Sequence, residues 1–211
     1  MNEMFDNHYI DWRNKRFNFI LNYYGENYFN NKTILELGAG YGDLGGMFIK
    51  YGAIVTSVEA RSEHIKEGQI RNPNNKFILK NLEEDFTDLI NYDIILDTGL
   101  FYHLSNPEKH IEYLSKIIKT DLIFETECNN SINNISISNK ENKESYDQSF
   151  IGSGNQSSRL YIENLFDKYN INFEIHNNPK LNSVCHIYDW EESDRNDFSD
   201  GHRRFWICKN K

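Results

Sequence analysis

The chain has 211 residues and a mass of 25.0 kDa, which is enough for one hydrophobic core and too little for two independent enzymatic cores. Hydrophobic residues make up 38% of the chain and charged residues 26%, so a sizeable interior can form and a wholly disordered chain is excluded. The 23 Lys and Arg residues stand against 32 Asp and Glu residues, and the resulting net charge of −9 disfavours generic binding to nucleic acid or anionic lipid surfaces.

The sequence also bears on the compartment of the protein. It contains no apolar stretch of roughly 20 residues, the length that spans a bilayer, and its amino-terminal stretch lacks the apolar core of a secretory signal. Cys128, Cys185 and Cys208 stand far apart and without a CxxC pair, which argues against a disulfide framework and against a structural zinc site. We therefore expect a cytoplasmic protein with reduced thiols and no membrane contact, while the oligomeric state stays open.

Helical periodicity marks the amino-terminal part of the chain, where large apolar residues recur between Tyr9 and Tyr24 and Gly25 follows as a carboxyl-terminal cap. Short apolar runs then alternate with helical lengths of chain, a pattern typical of parallel strands covered by helices on both faces. The five strands predicted in this way cover residues 33–37, 54–58, 77–79, 94–96 and 122–124. A helix is predicted at residues 44–51.

The second half of the chain is predicted to contain two long polar insertions, at residues 128–157 and 177–203. Loops of this length inside a compact domain are usually functional. Between them, a helix begins after Ser157 or Ser158 as N-cap, and strands are predicted at 171–175 and 205–208. We predict a single α/β domain over residues 1–211, doubly wound and Rossmann-like, with a helical segment at residues 1–30.

A glycine-rich turn follows the first predicted strand. Glycine is needed where the backbone takes conformations that a Cβ forbids and where a ligand approaches the main chain closely, so a nucleotide-like ligand is expected here. A dinucleotide fingerprint requires glycine at the sixth position of the turn, which is Asp43 in this chain, and no Walker motif is present. The residues of the turn are Gly38, Ala39, Gly40, Tyr41 and Gly42.

Together with Glu36, the three glycines resemble the E-x-G-x-G-x-G signature of class I S-adenosylmethionine (SAM)-dependent methyltransferases. The resemblance extends over residues 33–127 and implies SAM as cofactor and a seven-stranded, mostly parallel sheet of order 3-2-1-4-5-7-6. It implies that Glu59, at the end of the second strand, binds both ribose hydroxyls, a bidentate role that suits a carboxylate. The further cofactor-binding residues that it implies are Ala60 beside the ribose, Asn81 and Leu82 at the adenine, and Asp97, Thr98 and Gly99 near the methionine part.

The segment after the fourth strand carries the candidate catalytic residues, Tyr102 and His103. Methyl transfer from a sulfonium is an in-line displacement, and it needs a base only where the acceptor must lose a proton. A histidine suits that role near neutral pH, and Tyr102 is placed to orient the acceptor or the imidazole. A purely structural role for His103, capping or packing against the next helix, is the open alternative.

Acceptor-binding candidates lie after the fifth strand and in both insertions. Glu125 and Glu127 share one face of a strand, and we expect them to hold a hydroxylated or cationic acceptor. A hard cation such as Mg²⁺, held by these two and Asp97, is an alternative without diagnostic spacing, and we predict no metal site. Aromatic rings beside charges suit a polar, ring-shaped acceptor such as a sugar. The further candidates of this kind are Arg159, Tyr188, Trp190 and Arg203.

Three cations of the amino-terminal helix, Arg13, Lys15 and Arg16, are candidates to reach the carboxylate of the cofactor, although solvation at the surface is the default for each. We predict a SAM-dependent methyltransferase that acts on a hydroxyl or amine of a small polar molecule, with a sugar as one candidate. Residues 99–107 also resemble the G-x-x-Y-H-x-x-x-P segment of transferases that modify the wobble uridine of tRNA, but the acidic net charge makes nucleic acid an unexpected partner. The alternatives are such an RNA-modifying enzyme and a non-catalytic SAM-binding module.

Overall fold

The computed structural model describes residues 5–194 and 201–210. Residues 1–4 of the predicted amino-terminal segment, residues 195–200 of the second predicted insertion and residue 211 lie outside the described residues. Within the described ranges, no helix is long and apolar enough to cross a membrane.

One seven-stranded sheet forms the centre of the described structure, with the order β3-β2-β1-β4-β5-β9-β8. The strands β1 to β5 run parallel to one another, whereas β9 is antiparallel to both β5 and β8. Two further strands, β6 Ser136–Lys140 and β7 Ser153–Ser157, form a separate hairpin. When the seven strands of the large sheet are numbered by themselves along the chain, their order is 3-2-1-4-5-7-6, and the predicted fold class is therefore confirmed. The strands of the sheet are β1 Thr33–Leu37, β2 Ile54–Glu59, β3 Lys76–Leu79, β4 Ile94–Thr98, β5 Asp121–Glu127, β8 Ile171–Ile175 and β9 Arg203–Asn210.

Helices cover both faces of the sheet and give it two cores. Successive residues of a strand point to opposite faces, so Ile34 of β1 packs in one core with the first helix, and Leu35 packs in the other core with the fourth and fifth helices. The two-sided burial explains why the central strands are nearly continuous apolar runs. The helices are α1 His8–Tyr24, α2 Asp43–Gly46, α3 Ser62–Arg71, α4 Pro107–Ile117 and α5 Arg159–Lys168, with short 3₁₀ helices at Glu26–Phe29, Ile49–Tyr51, Phe101–His103 and Pro179–Leu181.

Several predicted elements differ from the structure. The helix expected at residues 44–51 is broken into α2 and a 3₁₀ turn, because Gly45 and Gly46 are weak helix formers and Gly45 packs against Glu36. The first insertion is not an irregular loop, since β6 Ser136–Lys140 and β7 Ser153–Ser157 pair as an antiparallel hairpin. The last strand begins at Arg203, so the second insertion ends one residue earlier than predicted.

The fold places the carboxyl ends of β1, β2 and β4 side by side at one edge of the sheet. The chain leaves β1 towards β2 on one side, and β4 lies on the other, so the order of strands reverses at β1. Ligands of open α/β sheets bind at such a reversal point, outside the carboxyl ends of the strands. A cleft opens at this place, and its walls come from the turns after β1, β2, β3 and β4.

Candidate active site

The glycine turn joins β1 to α2 at the mouth of the cleft. Gly38 has a φ angle of +62°, and a Cβ at this position would lie 2.8 Å from the side chain of Leu100. Gly40 has a φ angle of +55°, and its Cβ would lie 3.1 Å from the ring of Phe5. Both positions therefore require glycine, since other residues rarely adopt this conformation and have no space for a side chain here. The bare backbone of the turn forms one wall of the cleft.

The carboxylate of Glu36 connects the start of α2 to β2. It is buried, and it accepts hydrogen bonds from the amide of Gly45 and the hydroxyl of Ser57, both at 2.9 Å. Burial raises the pKa of Glu36 to about 7, although the two hydrogen bonds favour its charged form. Glu36 therefore lines the cleft, but its oxygens are used to hold the start of α2.

Glu59 stands at the carboxyl end of β2, next to the glycine turn. One carboxylate oxygen accepts a hydrogen bond from the amide of Gly40 at 3.0 Å, and the other accepts from the amide of Arg61 at 2.8 Å. Each oxygen has two lone pairs, so the carboxylate keeps the capacity to accept from a diol. Glu59 thus links β2 to the glycine turn and offers hydrogen-bond-accepting oxygens to the cleft.

The cleft collects most of the residues that the sequence analysis assigned to the cofactor and to catalysis. Two of them, Gly42 and Asp97, do not line the cleft. Gly42 packs against Ser57 and Asn75 behind the turn, and Asp97 is buried towards α4, where its carboxylate lies 2.5 Å from Nε2 of His110. The predicted residues that do line the cleft are Glu36, Gly38, Ala39, Gly40, Tyr41, Glu59, Ala60, Asn81, Leu82, Thr98, Gly99, Tyr102 and His103.

The predicted acceptor-binding residues lie outside the lining of the cleft. In the described part of the chain, the lining of the cleft includes none of Glu125, Glu127, Arg159, Tyr188, Trp190 and Arg203. Glu125 is fully buried and bound by two arginines, with Arg203 at 3.1 Å and Arg16 at 3.2 Å. Tyr188 donates a hydrogen bond to the same carboxylate, and Arg203 also reaches Glu127 at 3.4 Å. These residues form a buried ionic network behind the cleft.

Arg159 and Trp190 belong to a neighbouring cluster on the side of β9 and α5. Arg159 forms ion pairs with Glu163 and Glu192, at 2.5 and 2.6 Å. The indole of Trp190 donates to the carbonyl of Arg203, and Arg204 stacks over its ring at 3.6 Å. Every charged group here has a protein partner, so the cluster stabilises the second insertion.

The ionic network supports three side chains that do reach the cleft: Trp12, Arg16 and Tyr102. The guanidinium of Arg203 lies over the rings of Trp12 and Tyr102, at 4.3 and 5.0 Å, and donates to the hydroxyl of Tyr102 at 3.1 Å. Burial raises the pKa of Tyr102, so its hydroxyl stays protonated and is a hydrogen-bond donor rather than a base.

The three cations of α1, Arg13, Lys15 and Arg16, differ in position and in ion-pair partner. Arg16 reaches the cleft beside Gly99, at the end of β4, while Arg13 also lines the cleft but is paired with Asp43 at 3.1 Å. Lys15 points away and is paired with Asp11 at 2.9 Å. Arg16 is therefore the cation of α1 that the fold brings closest to the carboxyl ends of β4 and β5.

His103 lies on the 3₁₀ turn after β4 and faces the cleft. Its Nδ1 atom is 2.6 Å from a carboxylate oxygen of Glu141, a residue of the first insertion that the sequence analysis did not single out. The structure therefore pairs the candidate base with an acidic residue. The sequence alone does not single out Glu141, because nothing in this polar insertion distinguishes it from Glu144 nearby.

Residues 141–152, which connect β6 to β7, form a loop that we call the lid. Five of its side chains line the cleft, from Tyr146 to Phe150. Arg61, two residues after the end of β2, donates to lid carbonyls that include Gln148 at 3.0 Å and Ser145 at 3.2 Å. Phe5 and Tyr9 of the amino-terminal segment also line the cleft. The sequence analysis missed Arg61 because its partners are main-chain atoms.

The described residues contain no group of three or more metal-ligating side chains that could hold a metal ion. The carboxylates considered for Mg²⁺ are engaged in other ways, since Glu125 is bound by Arg16 and Arg203 and Asp97 by His110.

Comparison with solved structures defines the fold. The N-terminal domain of EvdMO1, crystallised in the presence of SAH and D-fucose, matches with a TM-score of 0.72 and 15% identity, over 95% of this chain and 83% of that chain. Magnesium protoporphyrin IX methyltransferase (ChlM) from Synechocystis PCC 6803, with bound SAM, matches with a TM-score of 0.62 and 11% identity, over 96% and 81%. A SAM-dependent methyltransferase from Mesorhizobium loti gives 0.59 and 9%, over 86% and 92%.

No protein-family model and no curated protein matches the sequence. The chain has the class I SAM-dependent methyltransferase fold, as the glycine signature predicts.

Proposed function

We propose that this protein is a SAM-dependent methyltransferase that acts on a hydroxyl or amine of a small polar molecule, with sugars as the first acceptors to test. The observation that carries the proposal is the position of His103: a histidine paired with a buried glutamate faces the same cleft as the glycine turn and Glu59. A cofactor-binding module without chemistry has no need of such a pair.

The cleft suits SAM in three respects. The bare backbone at Gly38 and Gly40 allows close approach of the adenosyl group, Glu59 offers a carboxylate to the ribose hydroxyls, and Arg16 offers a cation at the end of β4 for the amino-acid carboxylate. Bound SAM supplies a methyl group on a sulfonium. The protein then has to align the acceptor and exclude water, and to take the proton of the acceptor where one is released.

The aromatic lining of the cleft supports a small, ring-shaped acceptor. The lid contributes Tyr146 and Phe150 to this lining, and the amino-terminal segment contributes Phe5 and Tyr9. The rings of Trp12 and Tyr102 offer apolar faces to a ring-shaped molecule, while polar edges remain available for hydrogen bonds. The similarity to the EvdMO1 domain, crystallised with D-fucose present, is a reason to begin with sugars.

A cytoplasmic location is part of the proposal. It is supported by the three cysteines, all within the described residues, none of which forms a disulfide.

The test is transfer of a labelled methyl group. The purified protein is incubated with methyl-labelled SAM and a panel of sugars, nucleotide sugars and a metabolite extract, and the products are identified by mass spectrometry. We expect a methylated small molecule, formed by the wild type and lost in Glu59→Ala. Binding of SAM without any methylated product would favour the non-catalytic module. Salt-sensitive binding of tRNA, followed by its methylation, would favour the RNA-modifying alternative.

A further inference from the structure

We propose that Glu141 is a positioning residue that fixes the ring tautomer of His103, so that the basic nitrogen of the imidazole is the one that faces the acceptor. This inference rests on the proposed methyl transfer, and it adds a role for a residue of the lid.

The geometry around Glu141 is that of an ordered carboxylate. Its side chain is 6% exposed and that of His103 is 14% exposed. One oxygen lies 2.6 Å from Nδ1 of His103 and also accepts a hydrogen bond from the amide of Ser149 at 2.7 Å. The same atom therefore binds the imidazole and the main chain of the lid.

Two further contacts fix the position of Glu141. The amide of Glu141 donates to the carbonyl of Gly152, which closes the base of the lid at 3.1 Å. Gly154 of β7 lies against the carboxylate of Glu141 and the carbonyl of Tyr102, and a Cβ at this position would collide with both. A glycine here makes room for the carboxylate beside the 3₁₀ turn that carries His103.

The hydrogen bond determines which ring nitrogen is free. A carboxylate accepts the hydrogen of Nδ1, so Nε2 keeps its lone pair and is the basic atom of the neutral ring. In the proposed transfer, the acceptor oxygen forms a bond to the methyl carbon, and the S–CH₃ bond breaks with its electron pair on sulfur. The acceptor proton goes to Nε2 of His103. The carboxylate of Glu141 then stabilises the imidazolium, which later releases the proton to solvent.

The lid that carries Glu141 is also held by Arg61, which donates to the carbonyl of Gln148 at 3.0 Å and whose own amide binds Glu59 at the predicted ribose site. The segment that follows β2 therefore contacts both Glu59 and the lid.

The first test measures the tautomer directly and needs no turnover. The full-length protein is labelled with ¹⁵N-histidine, the ring nitrogens are recorded by NMR with and without SAH, and His103→Gln assigns the signal. We expect the Nδ1–H tautomer in the wild type and in Glu144→Ala, an exposed glutamate of the same lid. In Glu141→Ala we expect a shift towards Nε2–H. An unchanged tautomer in Glu141→Ala would overturn the positioning role.

The second test separates charge from geometry. Glu141→Gln keeps an oxygen that accepts from both Nδ1 and Ser149 but removes the charge, and we expect kcat to fall by about tenfold with an unchanged KM for SAM. Glu141→Ala should lose more, and Glu144→Ala should match the wild type. An equal loss of SAM affinity in Glu141→Gln, or no loss of kcat, would overturn the inference. A wild type that binds SAM but methylates nothing would instead refute the proposed function, and the tautomer would still be measured.

Discussion

The Nδ1 atom of His103 and a carboxylate oxygen of Glu141 lie 2.6 Å apart, although the two residues are 38 positions apart in the chain. Asn155 of β7 holds the two elements together, since its side-chain amide donates to the carbonyls of Phe101 and Leu104 on either side of His103. The hairpin and the turn after β4 therefore form one unit.

Replacement of His103 should remove the base and leave the cofactor site intact. For His103→Gln we expect kcat to fall by about 10²- to 10⁴-fold, the usual contribution of general base catalysis. The affinity for SAH should stay unchanged, because Glu59 and the glycine turn are untouched. Steady-state kinetics with the identified acceptor and calorimetric titration of SAH measure the two quantities. A variant that keeps the kcat of the wild type would assign His103 a structural role.

Removal of the Arg61 side chain should release the lid. The guanidinium donates to the carbonyls of Ser145 and Gln148, among others, so Arg61→Ala leaves these groups without that partner. Loss of two or more hydrogen bonds should raise amide hydrogen exchange in residues 143–149 by about tenfold or more. Lys66→Ala removes an exposed cation from α3, the helix that begins after Arg61, and serves as the control. Equal exchange in the two variants would show that Arg61 does not hold the lid.

The buried ionic network should be a major determinant of stability. Glu125 is the shared partner of Arg16 and Arg203, and Glu125→Gln would leave two buried cations with a neutral neighbour. We expect the free energy of unfolding to fall by about 3 kcal/mol, as in other broken buried ion pairs. In Glu112→Gln, which breaks a surface pair with Lys116, the loss should be at most about 0.5 kcal/mol. Urea denaturation compares the variants, and equal losses would contradict the assignment.

Glu36 should make stability depend on pH. Burial raises its pKa to about 7 in the folded chain, whereas an exposed glutamate titrates near 4.3. Between about pH 4.5 and 7 the folded chain therefore holds a proton that the unfolded chain has released, and the free energy of unfolding falls as the pH rises.

The variant Glu36→Gln lacks this titration. Relative to the wild type, its free energy of unfolding should therefore rise across the same pH window, by on the order of 3 kcal/mol at most, with no further change above pH 7. Denaturation curves measured at several pH values test this expectation. A constant difference between the two proteins from pH 4.5 to 7 would show that Glu36 ionises normally.

The sheet could be predicted because its signals are local and strong. Runs such as Ile94–Leu96 are buried on both faces, and Gly25 and Ser158 cap helices where expected. The hairpin of β6 and β7 was missed because its strands are rich in polar residues such as Ser136 and Asn155. These strands therefore show no alternation of apolar and polar residues from which a strand could be predicted.

The positions of the glycine turn and of His103 at the cleft could be predicted from the sequence, since motif and chain order indicate them. The positions of the predicted acceptor-binding residues could not, because their partners depend on strand pairing. Glu127 lies opposite Arg203 in the antiparallel pair of β5 and β9, so a carboxylate expected to face the acceptor is instead bound by an arginine. Likewise, no local pattern connects Arg61 to lid carbonyls more than 80 positions away.

Calorimetric titration of SAH into the wild type, Gly38→Ala and Gly25→Ala tests the central claim most directly. Both glycines have positive φ angles, +62° and +81°, but only Gly38 lines the cleft and packs against Leu100, while a Cβ at Gly25 would meet nothing within 4 Å. We predict saturable binding to the wild type and to Gly25→Ala, and its loss in Gly38→Ala. The absence of binding to the wild type, or equal binding to all three proteins, would contradict the assignment of this cleft to SAM.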